Sequence, residues 1–425
     1  MELEWILYFL LVLWSLQGFY GWLNLWLYRT RMRIQDEELD QPLGSPPLPA
    51  ILMAPMKGIR HNFEFYINGL LNQDYPDYHL VFTIESTNDP LYLRLRNRLG
   101  LTDEILLWSP YAGPPPDGSS VKVSPGLRKI QLIVVGLCYE GSQKVHNQLR
   151  ALQELREEDR LIAASDADIN PPQNMLSRLL KPLNQGTHVA ATGYRWLIPL
   201  NRHLGMWTAS VVNSSVATMG GPEWCNLMWG GAHALTREAH EEIGITEKLK
   251  GAFNDDLQTA HHVRYKGKEI AYIRSLMLPS SERYNWITMF EFGWRQYFHV
   301  RIYAPWAWWS TLIITALYIS GSAAAWVSLI TGEFKILLPI GIVFLFNQMR
   351  ASERISLQKT LFPEKDLNRL KPTFILEKFG TFFYMTVHFL MVCRSRIGNK
   401  VTWSGVIYRV KGRQQATVVS RSDES

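Results

Sequence analysis

Two aspartates one residue apart, Asp166 and Asp168, follow the apolar run Leu161 to Ala164 in the segment Ser165-Asp166-Ala167-Asp168. Carboxylates placed just beyond the end of a parallel strand project into the crevice where open α/β sheets bind ligands. Hard divalent ions such as Mg2+ or Mn2+ take oxygen ligands and commonly bridge to phosphate, so this pair suits a metal-held nucleotide diphosphate. The competing reading is two solvated turn carboxylates. A second acidic pair, Asp255 and Asp256, stands in Phe253-Asn254-Asp255-Asp256-Leu257 ahead of an amphipathic helical pattern. At a helix start a carboxylate caps free amides. As a general base toward an acceptor hydroxyl, it contributes about 10²- to 10⁴-fold in rate. A third element, Gly293 to Arg301, places Arg295 just before a long apolar segment. There an Arg either snorkels to lipid phosphates or steadies a departing diphosphate through charge-assisted bonds.

The elements that must position these residues alternate. Apolar runs at 51–55, 79–85, 161–165 and 187–193 read as strands, and stretches such as Asn62 to Gln73 and 91–99 read as helices. Strands separated by helices predict an α/β domain with a mostly parallel, Rossmann-like sheet. Before it, Trp5 to Tyr28 is 24 residues without a charge, and 306–330 is a second uncharged stretch of 25. About 20 apolar residues span a hydrocarbon core as a helix, so both are predicted transmembrane segments. Two weaker stretches, 336–349 and 379–393, suit short, re-entrant or interfacial helices.

The chain thus divides into an N-terminal anchor (1–33), an extended linker (34–49), the α/β domain (50–285), an interfacial helix (286–305), C-terminal membrane segments (306–393) and a basic tail (394–425). Arg29, Arg31 and Arg33 directly follow the first span. By the positive-inside rule they place the domain in the cytoplasm, at the cytoplasmic membrane of a bacterium or the Golgi or ER of a eukaryote. Three full C-terminal spans would export a tail carrying Arg394, Arg396, Lys400 and Arg409. One of the three is therefore expected to stop short.

The net charge of +6 gathers beside apolar segments. That distribution favours anionic lipid over nucleic acid as a partner. Three cysteines without a CxxC spacing indicate neither a disulfide framework nor a zinc site.

Taken together, the DxD, Asp-Asp and Arg elements resemble those of inverting nucleotide-sugar glycosyltransferases, most closely the ceramide glucosyltransferase family, over about residues 50 to 310. Pro55-Met56-Lys57-Gly58, Asp74-Tyr75-Pro76 and Asp89-Pro90 are similar to that family's opening segment. Lys144 to Leu149 resembles its Lys-[Val/Ile]-x-Asn-Leu stretch, Trp229-Gly230-Gly231-Ala232 its glycine turn, and Trp403 to Tyr408 the Trp-x-Gly-x-x-Tyr tail of bacterial relatives.

The resemblance implies a GT-A fold, UDP-glucose as donor, Mg2+ or Mn2+ as cofactor, and a lipid hydroxyl (ceramide, diacylglycerol or a hopanoid-type lipid) as acceptor. It makes Asp166 and Asp168 the metal and diphosphate site, Asp256 the base with Asp255 beside it, and Arg295 the arginine of a (Q/R)xxRW motif. Phe292 and Gln296 replace that motif's first and last residues. Lys57, Lys144, Asp89 and Glu85 are expected on the nucleotide side, Glu85 because Ser86 occupies the position of a family aspartate. Two other readings stay open: a processive polysaccharide synthase, and a non-catalytic lipid-binding or scaffold protein on a degenerate transferase fold.

Overall fold

The computed structural model describes residues 2–219, 221–332 and 336–421. Positions 333–335 of the expected membrane region and 422–425 of the expected tail, with Met1, lie outside the described residues. In chain order the elements begin α1 (Glu2–Asp40), β1 (Ala50–Pro55), α2 (Phe63–Leu71), β2 (Tyr78–Ile84), α3 (Pro90–Arg98), β3 (Leu107–Trp108), β4 (Leu127–Val134), α4 (Gln143–Ala151), β5 (Leu161–Ala164), α5 (Met175–Asn184) and β6 (Ala190–Pro199). They continue with α6 (Leu204–Ala217), β7 (His233–Thr236), α7 (Arg237–Ile243), α8 (Ile245–Leu249), α9 (Asp256–Tyr265), β8 (Ile270–Glu282), α10 (Trp286–Tyr303), α11 (Pro305–Ile330), α12 (Leu337–Leu361), α13 (Glu364–Phe379), α14 (Thr381–Ser395), β9 (Lys400–Trp403), β10 (Val406–Val410) and β11 (Ala416–Arg421). The chain forms two compact units. One comprises Gln35–Arg195, Gly221–Ser280 and Asn399–Ser425, the other Met1–Ile34, Trp196–Gly220 and Ser281–Gly398.

The first unit is built on the eight-stranded sheet, ordered β3-β4-β2-β1-β5-β7-β6-β8. Its centre, β4-β2-β1-β5, is parallel. Antiparallel pairings of β3 with β4 and of β7 with β5 and β6 flank that centre. β1, β2 and β5 are buried along their whole length. Side chains alternate between faces, so Leu52, Leu80, Phe82 and Ala163 join one apolar cluster while Met53, Val81 and Ile162 join another. Strands covered on both faces read as continuous apolar runs, which is why the sequence shows them plainly.

Two expectations are corrected in this unit. The acidic stretch after Ile34 is not extended, because α1 continues to Asp40. Its acids have partners: Asp36 pairs with Arg178 and Ser275, and Asp40 lies 3.1 Å from Arg178. Gln35 meanwhile bridges the backbone of β8, donating to the Tyr272 carbonyl (3.0 Å) and accepting from Arg274 N–H (2.9 Å). The segment expected as a basic tail has structure of its own after Asn399, since β9, β10 and β11 form an antiparallel sheet.

The second unit is helical. By length and composition α1 and α11 can each cross a membrane, and α13 with α14, bent by 96° at a short break, pass the same test as a pair. α12 begins apolar but carries Arg350, Glu353 and Arg354 in its second half. Pro339 is tolerated in its first turn, where backbone N–H groups have no intrahelical partner. Arg354 makes two bonds to the buried Glu377 carboxylate, at 2.7 and 2.9 Å, and Ser214 adds a third at 3.0 Å.

Candidate active site

Asp166 and Asp168 lie just beyond the C-terminal end of β5, and Asp255 and Asp256 open α9. The structure brings one member of each pair, Asp166 and Asp256, to Gly230. A methyl group added there would fall 2.5 Å from Lys144 Nζ and 3.0 Å from an oxygen of each of Asp166 and Asp256. Only a residue without a side chain leaves that space open. Lys144, from the first turn of α4, lies 2.6 Å from Asp166 Oδ1 and 2.9 Å from Asp255 Oδ1. Gln148, one turn further on, donates to Asp255 Oδ2 at 2.7 Å. The Gly230 N–H donates to Asp256 Oδ2, so the glycine turn noted in the sequence touches the candidate base directly. Capping of α9 falls to Asn254, whose side chain accepts from Leu257 N–H at 2.8 Å, in addition to Asp256 Oδ1 at 2.6 Å.

The carboxyls of the two adjacent aspartates are shifted in opposite directions. Burial works against ionisation of both. At Asp255 it is outweighed by Lys144, with His233 and Gln148 assisting, which holds that carboxyl down at about 2. At Asp256 burial is reinforced by the negative Asp255 and Asp166, and the carboxyl is pushed up to about 7. A group poised near neutral pH is what general-base catalysis requires. Burial, with Asp168 and Asp255 nearby, also raises Asp166 above the usual range despite Lys144. Asp168 goes the other way: burial is overcome by Arg195, then Arg60 and Lys144.

Arg195 is the residue that sequence reasoning missed. Its guanidinium donates to Asp168 Oδ2 at 2.9 Å and lies 5.6 Å from the centre of the Trp229 ring, joining the DxD segment to the glycine turn. The only sequence signal was a charged residue inside the apolar strand Ala190–Pro199. Asn62 and Tyr66 shape the DxD backbone, Asn62 donating to the Ala167 and Ile169 carbonyls (3.2 and 2.8 Å) and Tyr66 to Ser165 O (2.9 Å).

Of the expected nucleotide-side residues, Lys57 and Glu85 lie just beyond the ends of β1 and β2. Lys57 pairs with Glu85 at 2.6 Å, and Arg421 approaches the other Glu85 oxygen at 3.4 Å. Asp89 caps α3, accepting from Leu91 N–H, and also accepts from Gly58 N–H, each at 2.9 Å. Its carboxylate is thus engaged by two backbone amides. Arg295 lies on α10 in the helical unit, 5.9 Å from the Phe292 ring centre, and Phe292 stacks on Tyr284.

The donor set fits a hard divalent cation. Asp168 Oδ1 is buried without a hydrogen-bond partner, and a carboxylate oxygen so placed is a ligand in waiting. Among the described residues no three His, Cys, Asp or Glu side chains cluster to hold a metal by themselves. An ion here would complete its coordination with phosphate oxygens and water, as Mg2+ commonly does in nucleotide sites.

No protein-family model matches the chain, and no curated protein does. Among solved structures, the chain is similar to glucosyl-3-phosphoglycerate synthase from Mycobacterium tuberculosis, determined in complex with Mn2+, uridine diphosphate and phosphoglyceric acid. The identity is 13% and the TM-score 0.31, over 55% of this chain and 69% of that one. A likeness of that degree carries no argument about this chain, whose function rests on its own residues.

Proposed function

We propose that this chain is a membrane-bound, inverting glycosyltransferase of GT-A type. In this reading it transfers a hexose, glucose from UDP-glucose by the sequence resemblance, to a lipid hydroxyl at the cytoplasmic face of a membrane. The observation that carries the reading is the convergence of Asp166, Asp256 and Lys144 on the side-chain-free Gly230, with Asp255 paired to the same lysine.

Asp166 and Asp168 would hold the metal, whose chemistry is to neutralise charge on the donor's diphosphate. Asp256 takes the proton of the acceptor hydroxyl on its carboxylate. The freed oxygen bonds to the anomeric carbon as the sugar–phosphate bond breaks, its electron pair leaves with UDP, and the configuration inverts. Lys144 keeps the adjacent Asp255 anionic, which in turn keeps Asp256 basic enough for that step. Burial opposes the Lys144 charge, yet Asp166, Asp255 and Asp256 together hold it protonated. The role of Arg295 toward the departing diphosphate rests on the motif alone.

The test incubates membranes containing the full chain with radiolabelled UDP-glucose and separates the lipid extract. Labelled glycolipid is expected. Labelled polymer would favour a processive synthase, and no label a non-catalytic protein.

A further inference from the structure

The proposed chemistry gives residues 400–421 no part, yet they touch the loop before Asp255 and Asp256, the start of the helix bearing Lys144, and Glu85. The motif Trp403-Ser404-Gly405-Val406-Ile407-Tyr408 forms the hairpin between β9 and β10, with Trp403 paired to Val406. Its two loop residues, Ser404 and Gly405, have φ of 49° and 76°. Two successive positive φ values are what a tight type I′ hairpin demands, which accounts for the glycine. The resulting register puts Trp403 and Tyr408 on one face of the hairpin.

That face closes on Phe253, which is fully buried, three residues before Asp256. The Phe253 ring centre is 5.7 Å from that of Trp403 and 5.1 Å from that of Tyr408. Tyr408 Oη accepts from the N–H of Gln143, the residue before Lys144, at 3.3 Å. Arg421, 6% exposed, approaches Glu85 at 3.4 Å, donates to Gln143 Oε1 at 3.0 Å and also bonds the Cys138 carbonyl. Backbone bonds complete the attachment: Gly141 N–H to Ala416 O (2.8 Å), Ala416 N–H to Gly251 O (3.0 Å) and Val418 N–H to Tyr139 O (3.0 Å).

We propose that residues 400–421 are the positioning clasp of the candidate active site: Trp403 and Tyr408 grip Phe253 to set the Asp255-Asp256 turn, and Arg421 holds Glu85 and the start of the helix bearing Lys144. The reaction it serves rests on the glycosyltransferase reading; the contacts do not. Both acidic residues follow a loop containing Gly251, whose φ of 71° is open to glycine and whose carbonyl accepts from Ala416 N–H of the clasp. Misplacing a catalytic group by about 1 Å costs on the order of 10²-fold in rate, so a brace at this loop acts on turnover before it acts on donor binding.

The experiment compares the full chain with its Tyr408→Ala, Tyr408→Phe and Arg421→Gln variants by hydrogen exchange and transfer kinetics. Tyr408→Ala should speed exchange across 250–257 by about tenfold or more while β1 and β2 stay protected. It should lower kcat by roughly 10- to 100-fold with donor KM within about threefold, and Tyr408→Phe, which keeps the ring, should retain most turnover. Arg421→Gln should raise donor KM in the wild-type background but change little once Glu85 is Gln, because the two act as one unit. Unchanged exchange across 250–257 in Tyr408→Ala would overturn the clasp. So would an equal loss of protection in β1 and β2, or additive effects of Arg421→Gln and Glu85→Gln. A wild-type chain that transfers no sugar sinks the glycosyltransferase reading instead, and the exchange comparison then still decides whether the clasp holds the turn.

Discussion

Lys144 Nζ lies 2.9 Å from Asp255 Oδ1, and that contact separates the chemistry of two neighbouring carboxylates. Asp255 is fixed as an anion, while Asp256, one residue on, is held near neutrality. Asp256→Asn keeps the volume and an acceptor oxygen but removes the proton acceptor. Transfer should fall by about 10²-fold or more with UDP-glucose binding near wild type. Asp255→Asn should cost less. A reversed order of severity in steady-state kinetics would move the base to Asp255.

The pH dependence follows with a definite sign. In the proposed reaction Asp256 accepts the proton as a carboxylate, and its value lies above the ordinary range, at about 7. The rate measured as kcat/KM for the donor should therefore be full above that value and fall as pH drops through it. Replacing Asp255 with Asn removes a negative neighbour that raises Asp256, so the acid limb should move to lower pH. A limb that does not move, or moves upward, contradicts the assignment.

Metal dependence is expected from the partnerless Asp168 Oδ1. EDTA should abolish transfer, and Mg2+ or Mn2+ should restore it. Titration calorimetry with UDP should show metal-dependent binding that Asp168→Ala weakens. Full activity in EDTA would remove the metal from the reading.

Arg195 and Asp168 form an ion pair whose side chains are 10% and 19% exposed. Removing one partner of a fully buried pair costs about 3–5 kcal/mol, and the residual exposure here puts Arg195→Ala at or below the low end. A divalent ion at Asp168 replaces the lost positive charge. Added Mn2+ should therefore raise the thermal midpoint of Arg195→Ala more than that of wild type. Equal shifts would separate Arg195 from the metal site.

Membrane topology is constrained by the sheet of residues 400–421. Its backbone bonds to Tyr139, Gly141 and Gly251 place it in the same compact unit as the eight-stranded sheet, on one side of any bilayer. In the proposed membrane-bound arrangement residues 281–398 then cross an even number of times, and α11 with the bent pair α13 and α14 are long and apolar enough for two crossings. A protease added outside sealed cells should spare an epitope inserted in the loop between β10 and β11 as well as the α/β domain. Cleavage at that epitope alone would mean an odd number of crossings.

The sequence alone determined three of the four central parallel strands (β1, β2 and β5, not β4), the two longest apolar helices and the acidic pairs. Each is a local pattern: a run such as Ile51 to Pro55 is apolar throughout because both faces of its strand are covered, and Trp5 to Tyr28 carries no charge over a length that can cross a membrane. The DxD was legible because two acids directly after an apolar strand need no distant partner to be noticed. Tertiary structure decided what those acids touch. Lys144, Gly230 and Arg195 reach them from elements far apart in the chain, and a contact between distant residues leaves no periodicity to read. The difference between Asp255 and Asp256 is likewise invisible in sequence, because it arises from burial, from the charge of each on the other and from a lysine that folding pairs directly with Asp255. The stretch after Lys400 read as a basic tail for the same reason: its charges are a property of the chain, whereas its attachment to Phe253, Gln143 and Glu85 is a property of the fold.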